Sequence, residues 1–397
     1  MSGKAAGLLR QLGDRSGLDR IWTILPEARL VGGSVRDLLR HVPLNDLDLA
    51  TPEPPERVQE LLEAAGIRVI PTGMDHGTVT ALISHVPYEI TTLRRDEETD
   101  GRHAVVAWTG NWEEDAARRD FTINAMSLDR HDVLHDYFHG MEDLKAHRVR
   151  FVGMPAQRVR EDALRALRFF RFDARYGQGV PDPEACAAIS ASLDLVRALS
   201  AERVAQEILK ILAGPRLLET LAGMEAVGLL QALLPQPDRS SLVRLLACNA
   251  PVDPLMRLFA LCTSCSRVAG ERLKLSKADR NRLAVFSQDT PVLHPALTDD
   301  DLRRTLAVQT HAKLIDRSWL AQAQAVARPD VDWDRLRLRL RRMPRPDFPL
   351  SGQDALAQGL RPGPAMGDWL KKGRTWWLEQ GCRPDREACI GYLARHG

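Results

Sequence analysis

The chain has 397 residues, 44% hydrophobic and 27% charged, the proportions of a folded globular protein and not of a disordered one. That length exceeds one ordinary domain, so two to four units are expected. No apolar run approaches the roughly 18 residues of a membrane span, and the N-terminal "MSGKAAGLLRQLGDRSG" lacks the apolar core of a signal peptide, so a cytoplasmic protein without a membrane partner is expected. The overall charge of +2 conceals an asymmetry. Residues 1–142 carry 15 Lys and Arg against 24 Asp and Glu, a net of −9, while the remainder, with 40 against 29, is at +11. An acidic front fits a metal-using catalytic unit and a basic remainder fits a polyanion such as nucleic acid, although solvated arginine-rich helices read the same way.

In chain order, "ARLVGG" reads as a strand ending at a glycine turn, and "SVRDLLRH" as a short helix halted by Pro43. "DLDLA" alternates, so it reads as a strand with Asp46 and Asp48 on one face. Glycines ahead of a helix N-terminus leave N–H groups free for an anion, and Arg36 adds positive charge there. Two carboxylates about 7 Å apart along a strand repel each other unless a cation sits between them. A phosphate cradle beside a metal pair points to nucleotide chemistry.

"PPERVQELLEAAG" then reads as a helix, and "IRVIPTG", "GTVTALI" and "YEITTL" as strands, which makes the front an α/β or α+β unit. Glu89, in the last of these, is either a third carboxylate near Asp46 and Asp48 or a surface strand carboxylate. "RRDEETDGR", dense in charge and weakly packable, reads as a mobile loop before "HAVVAW". In "EEDAARRDFTINAM", residues 113–126, Arg118, Arg119 and Asp120 precede an apolar stretch. An Arg-Asp pair suits a triphosphate and a ribose hydroxyl; alternatively Asp120 caps a helix begun by "DFTINAM".

After about residue 155 helical periodicity dominates, broken at "GQGVPDP", "AGPR", "LLPQPD" and "NAPVDP". "AQRVREDALRALRFFRFDARY", residues 156–176, reads as one helix. Its Asp162, Arg165, Arg168 and Arg171 recur every three residues along one face, with Ala163, Ala166, Leu167 and Phe170 behind. Either these are ion pairs on a surface helix, or they read a base. Cytosine and adenine both offer an exocyclic amine beside a ring-nitrogen acceptor, so an aspartate that accepts and an arginine that donates fit C and A and oppose G and U. Cys262 and Cys265 form a CxxC inside a helical stretch without a second pair, so core thiols are expected there and not zinc ligands. "WDRLRLRLRRMPRP", residues 333–346, either follows a phosphate backbone or is a partly buried element with a basic face.

The ordered set "GGSVRD…DLDLAT", "HGTVT", "YEITTLRRD…DGRH", "RRDFTINAM", "HDYFHGMEDLKAHRVRFVG" and "REDALRALRFFRF" resembles the class II tRNA nucleotidyltransferases, the bacterial CCA-adding enzymes. The resemblance covers about residues 28–215 and returns weakly at "LSGQDALAQGLRPGPAMGDWL". It implies an α+β fold, a polymerase-β-like nucleotidyltransferase head (1–142) followed by an all-α neck with a nucleotide-selecting helix (143–205), body (206–275) and tRNA-binding tail (276–397). It also implies addition of C, C and A to tRNA 3′ ends from CTP and ATP, with Mg²⁺ and without a nucleic-acid template.

Position by position, the resemblance assigns Gly33 and Arg36 to nucleotide binding and Asp46 and Asp48 to Mg²⁺. It assigns Arg119 to the triphosphate, Asp120 to the ribose, Asp162 and Arg165 to the base, and Arg168 and Arg171 to flanking nucleotide contacts. "SAERVAQEILKIL", with Glu202 and Arg203, matches a motif that buttresses the neck helix, and Ser34 stands where many relatives carry a small residue such as Ala. The alternatives are a bacterial poly(A) polymerase, a tRNA enzyme adding only CC or only A, or, in a different class, a non-catalytic RNA-binding module. "HGTVT" and the retained "RRDEETDGRH" favour full CCA addition, and intact Asp46 and Asp48 favour catalysis.

Overall fold

A computed structural model describes residues 2–4, 7–44, 47–99, 104–288 and 291–396. They fall into two compact units, 1–233 and 234–397. The first is built on a mixed sheet of β1 (Ser2–Lys4), β2 (Arg29–Val31), β3 (Leu47–Thr51), β4 (Arg68–Gly73), β5 (Thr78–Ile83), β6 (Val86–Thr92), β9 (Met126–Leu128) and β10 (Val133–Asp136). Their order is β1-β10-β9-β2-β3-β6-β5-β4, with β3 parallel to β6. Helices α1 (Ser16–Ile24), α2 (Gly33–Leu39) and α3 (Pro55–Ala64) bury Leu18, Ile21 and Trp22, Val35 and Leu38, and Val58 and Leu62. That spacing is the apolar stripe of a helix packed on one side. Trp22 keeps its indole N–H satisfied by donating to the Ala28 carbonyl at 2.8 Å.

Two local expectations are overturned here. Of the segment expected as a mobile loop, 94–99 form a strand, β7 (Arg94–Thr99), which pairs antiparallel with β8 (Ala104–Trp108); 100–103 lie outside the described residues. Ladder hydrogen bonds join backbone groups, so a run of charged side chains does not prevent them. "DFTINAM" is not a helix start either. After α4 (Trp112–Ala117) it makes a single 3₁₀ turn, Thr122–Asn124, and enters β9, and the cap position of that turn is Phe121. The capping alternative for Asp120 therefore falls.

Helices follow: α5 (Gly140–Lys145), α6 (Pro155–Glu161), α7 (Arg165–Tyr176), α8 (Pro183–Ser190), α9 (Leu193–Arg197) and α10 (Ala201–Ala213). The single helix expected over 156–176 is thus two. Asp162 is extended, at φ −150° and ψ 102°, and its Oδ1 accepts the Leu164 N–H at 3.1 Å. An aspartate that captures the N–H two residues on competes with helix continuation. The apolar positions behind the strip are buried as the spacing requires, Ala166 and Leu167 completely. Phe121 and Phe151, which form an isolated bridge, meet Phe169 and Phe172 of α7 at ring separations of 5.0–6.4 Å. Such aromatic contacts add about 0.5–1.5 kcal/mol per pair beyond area burial, and they hold α7 against the bridged segment that follows Asp120.

Every regular element among the described residues of the second unit is a helix. The 333–346 stretch lies mainly in a helix, Val331–Arg342, in which Leu336 and Leu340 are buried and Leu338 is exposed. This is helical i, i+4 spacing and not alternation, with Arg337 buried over the Trp319 ring at 3.4 Å. Cys262 and Cys265 are free thiols, and burial pushes Cys262 up to about 12. No helix among the described residues is long and apolar enough to cross a membrane.

Candidate active site

The first unit contains a cleft of about 630 Å³. It begins where β2 turns into α2. Gly32 has φ 60° and ψ −123°, a conformation that costs any residue with a Cβ, and a Cβ there would lie 2.9 Å from Arg119 Nη1. Within the glycine pair it is therefore Gly32, beside the expected Gly33, that the turn requires. Arg36, one helical turn on, is buried. Its Nη1 donates to Asn124 Oδ1 at 2.6 Å, its Nε and Nη2 donate to the Asp37 carboxylate, and its guanidinium lies 4.3 Å from the Tyr176 ring centre.

One wall is acidic. Parallel register places Asp48 of β3 opposite Glu89 of β6, and both line the cleft. Ser34 Oγ accepts the Asp48 N–H at 2.9 Å, tying the strand to α2. Asp46 lies outside the described residues.

The cleft is also lined by arginines, among them Arg118, Arg119 and Arg168. Asp115, almost fully buried at the end of α4, accepts from Arg118 and Arg119 and from the Arg94 N–H. Burial pushes its carboxyl up, but Arg119 and Arg118 outweigh that and hold it below the usual carboxylate range. The pair is thereby fixed with Arg119 turned to the cleft. Asp120 uses both oxygens: Oδ1 accepts from Asn124 Nδ2 and the Phe121 N–H, and Oδ2 accepts from Arg168. Asn124 thus joins Arg36 to Asp120.

Asp162 and Arg165, which also line the cleft, are held by different partners. Asp162 Oδ2 accepts from Arg203 Nη2 at 2.8 Å, whereas Arg165 donates to Glu161 at 2.6 Å and to the Arg158 and Arg118 carbonyls. The cleft brings together Gly33, Arg36, Asp48, Glu89, Arg119, Asp120, Asp162, Arg165 and Arg168. Arg171 is not among its lining residues; its Nε donates to Glu207 at 2.6 Å and its guanidinium lies 4.6 Å from the Phe172 ring centre. Sequence reasoning missed Asp115 and Asn124, and it gave Arg203 only as part of a motif buttressing the neck helix, without placing it at the cleft. The i, i+3 and i, i+4 spacing of "DAARR" pointed to the first, and the expected buttressing role of the Arg203 segment did not specify Asp162 as its partner.

Residues 28–150 match the family model described as the Poly A polymerase head domain, and 181–240 match one described as a probable RNA and SrmB- binding site of polymerase A. The Homo sapiens protein named CCA tRNA nucleotidyltransferase 1, mitochondrial, is 35% identical over 382 residues, covering 93% of this chain and 87% of that protein. The chain belongs to the CCA tRNA nucleotidyltransferase family. A CCA-adding enzyme of Lacticaseibacillus paracasei is 32% identical over 368 residues, 87% of this chain and 86% of that one. The crystal structure of Bacillus stearothermophilus CCA-adding enzyme in complex with CTP matches with a TM-score of 0.75 at 25% identity, covering 96% of this chain and 98% of that chain. The mixed-sheet head and helical remainder are the expected architecture, and the chain is an enzyme of a nucleotidyltransferase family that generally uses a divalent metal.

Proposed function

We propose that this enzyme completes tRNA 3′ ends, adding C, C and A in turn from CTP and ATP, with Asp162 and Arg165 standing in for a template. One observation carries the reading: a single cleft is lined by carboxylates (Asp48, Glu89), arginines (Arg118, Arg119, Arg168) and the Asp162–Arg165 pair. The triphosphate lies against Arg119 and the turn at Gly32 and Gly33, where fixed donors face the charge that gathers on departing pyrophosphate. Asp120 meets the ribose. Arg36 orients it through Asn124. Asp162 accepts from the exocyclic amine of C or A while Arg165 donates to the ring nitrogen, with Arg168 flanking. Arg171, anchored on Glu207, supports the strip from outside the cleft.

The donor set suits a hard divalent cation, since facing carboxylates on adjacent strands supply oxygen ligands. In this reading Asp46 and Asp48 hold Mg²⁺, which supplies activation of the attacking hydroxyl and neutralisation of the leaving group. Glu89 orients that wall from β6. The tRNA 3′ oxygen attacks the α-phosphorus, and the bond to pyrophosphate breaks as the new ester forms.

The division into head (1–142), neck (143–205), body (206–275) and tail (276–397) belongs to the same proposal, with the tRNA along the basic remainder. So does a cytoplasmic location, supported by six cysteines that all carry free thiols.

The test supplies tRNA ending before CCA with Mg²⁺ and each labelled nucleotide, singly and together. CTP alone should add two residues, and CTP with ATP three. Termination at CC, or a tract of A, overturns the reading. Asp48→Ala should abolish addition of both nucleotides, and activity within tenfold of the parent removes the metal role.

A further inference from the structure

Asp162 sits in the break between α6 and α7, so no helix fixes the direction of its side chain. The Leu164 N–H holds Oδ1, and a carboxylate held at one oxygen can still swing about that bond. The second restraint comes from 41 residues away. Arg203, on α10, donates from Nη2 to Oδ2 at 2.8 Å and itself lines the cleft. Arg165 is fixed without Arg203, by Glu161 and two carbonyls.

We propose that Arg203 is a specificity-positioning residue, setting the plane of the Asp162 carboxylate against the incoming base. The inference rests on the reading of Asp162 and Arg165 as the base-selecting pair. An ionised carboxylate offers about four lone-pair sites. The two fixed hydrogen bonds arrive from different directions and leave the others for an exocyclic amine. Guanine or uracil presents a carbonyl oxygen at that place, and rejection requires that the carboxylate cannot turn away from it. Selectivity here is a clash as much as an attraction. Once Arg203 is removed, Asp162 pivots about the Leu164 N–H and the clash relaxes. The Arg203 side chain is half exposed, and an exposed ion pair contributes little to stability, so specificity and folding are separable at this position.

The experiment measures kcat and KM for all four nucleotides on tRNA lacking CCA, using the full chain and Arg203→Ala, Arg203→Lys, Asp162→Ala and the double variant. Arg203→Ala should lower the preference for CTP over UTP by roughly tenfold, chiefly by improving use of UTP, with the thermal midpoint within a few degrees of the parent. Arg203→Lys should recover most of the preference. The double variant should be no less selective than Asp162→Ala. If Asp162→Ala loses selection while Arg203→Ala keeps it, the positioning role is overturned and base reading stands. If Asp162→Ala keeps selection, base reading fails and takes this inference with it. An equal loss for all four nucleotides in Arg203→Ala means support of the fold alone and also overturns the proposal. Should the alanine variant not fold, Arg203→Gln is measured in its place, with the same deciding outcomes.

Discussion

Asp120 Oδ2 accepts from Arg168 twice, from Nε at 2.9 Å and Nη2 at 2.5 Å, while Oδ1 holds Asn124 at 3.0 Å. A carboxylate on the turn after α4 therefore orients an arginine of α7 and, through Asn124, the buried Arg36. Asp120→Asn keeps an acceptor for the Phe121 N–H but sets an amide against a guanidinium. A hydrogen bond to a charged group is worth about 1.5–3 kcal/mol, so kcat/KM for both nucleotides should fall roughly ten- to a hundredfold. Because Arg168 is partly exposed, the stability loss should stay near 1 kcal/mol or below. Steady-state kinetics alongside urea unfolding separates the two; a large stability loss with normal kinetics defeats the assignment.

Asp115 gives a pH signature. Its folded carboxyl lies below the ordinary value of 3.8 because Arg119 and Arg118 outweigh the burial that would raise it. The stabilisation is present above the unfolded value and is lost as pH falls below it through the depressed folded value. Unfolding free energy should therefore decline more steeply on acidification below about pH 4 in the parent than in Asp115→Asn. At pH 7 Asp115→Ala strands two partly buried guanidiniums and should cost about 3 kcal/mol. Urea titrations at pH 3 and pH 7 measure both quantities, and equal pH dependence in parent and variant counts against the ion-pair account.

These residues also show what was legible in the sequence. The strand-turn-helix around Gly32 and the helix stripes of α1 to α3 follow from local spacing, which acts within one turn or one pleat. The break at Asp162 was hidden because its apolar neighbours fit an unbroken helix, and the stop comes from one side chain capturing one N–H. The hairpin of β7 and β8 was masked by charge, to which backbone pairing is indifferent. β9 and β10 are three and four residues long, too short for alternation to declare them. The Asp162–Arg203 contact spans 41 residues and depends on how α10 lies against α7.

The hairpin yields a separable prediction. Its base is anchored: the Arg94 N–H donates to Asp115, and Trp108 covers Gly77 so closely that a Cβ there would lie 2.5 Å from the ring. Replacing residues 96–106 with a two-residue turn keeps this base and removes the rest of the segment. Addition of both C residues should persist while the final A stalls, read as product length on a gel. Synthesis of the full CCA end at the parent rate defeats the idea.

The sharpest test concerns Asp162 and Arg165 together. A base with the wrong pattern sets donor against donor and acceptor against acceptor, each at about 1–3 kcal/mol, so two mismatches give roughly a hundredfold discrimination. Asp162→Ala should lose C and A incorporation and weaken rejection of U and G. Arg165→Ala should behave alike, although it also leaves Glu161 with Arg158 as its ion-pair partner. Arg175, an exposed residue over the Tyr176 ring at 5.6 Å, is not among the residues lining the cleft, and Arg175→Ala should leave nucleotide choice unchanged. A surface ion pair predicts the opposite, a small stability loss and intact selection. Incorporation of each of the four nucleotides by the three variants decides between them. If Asp162→Ala still adds only C and A at near-parent rates, the protein template lies elsewhere in the cleft.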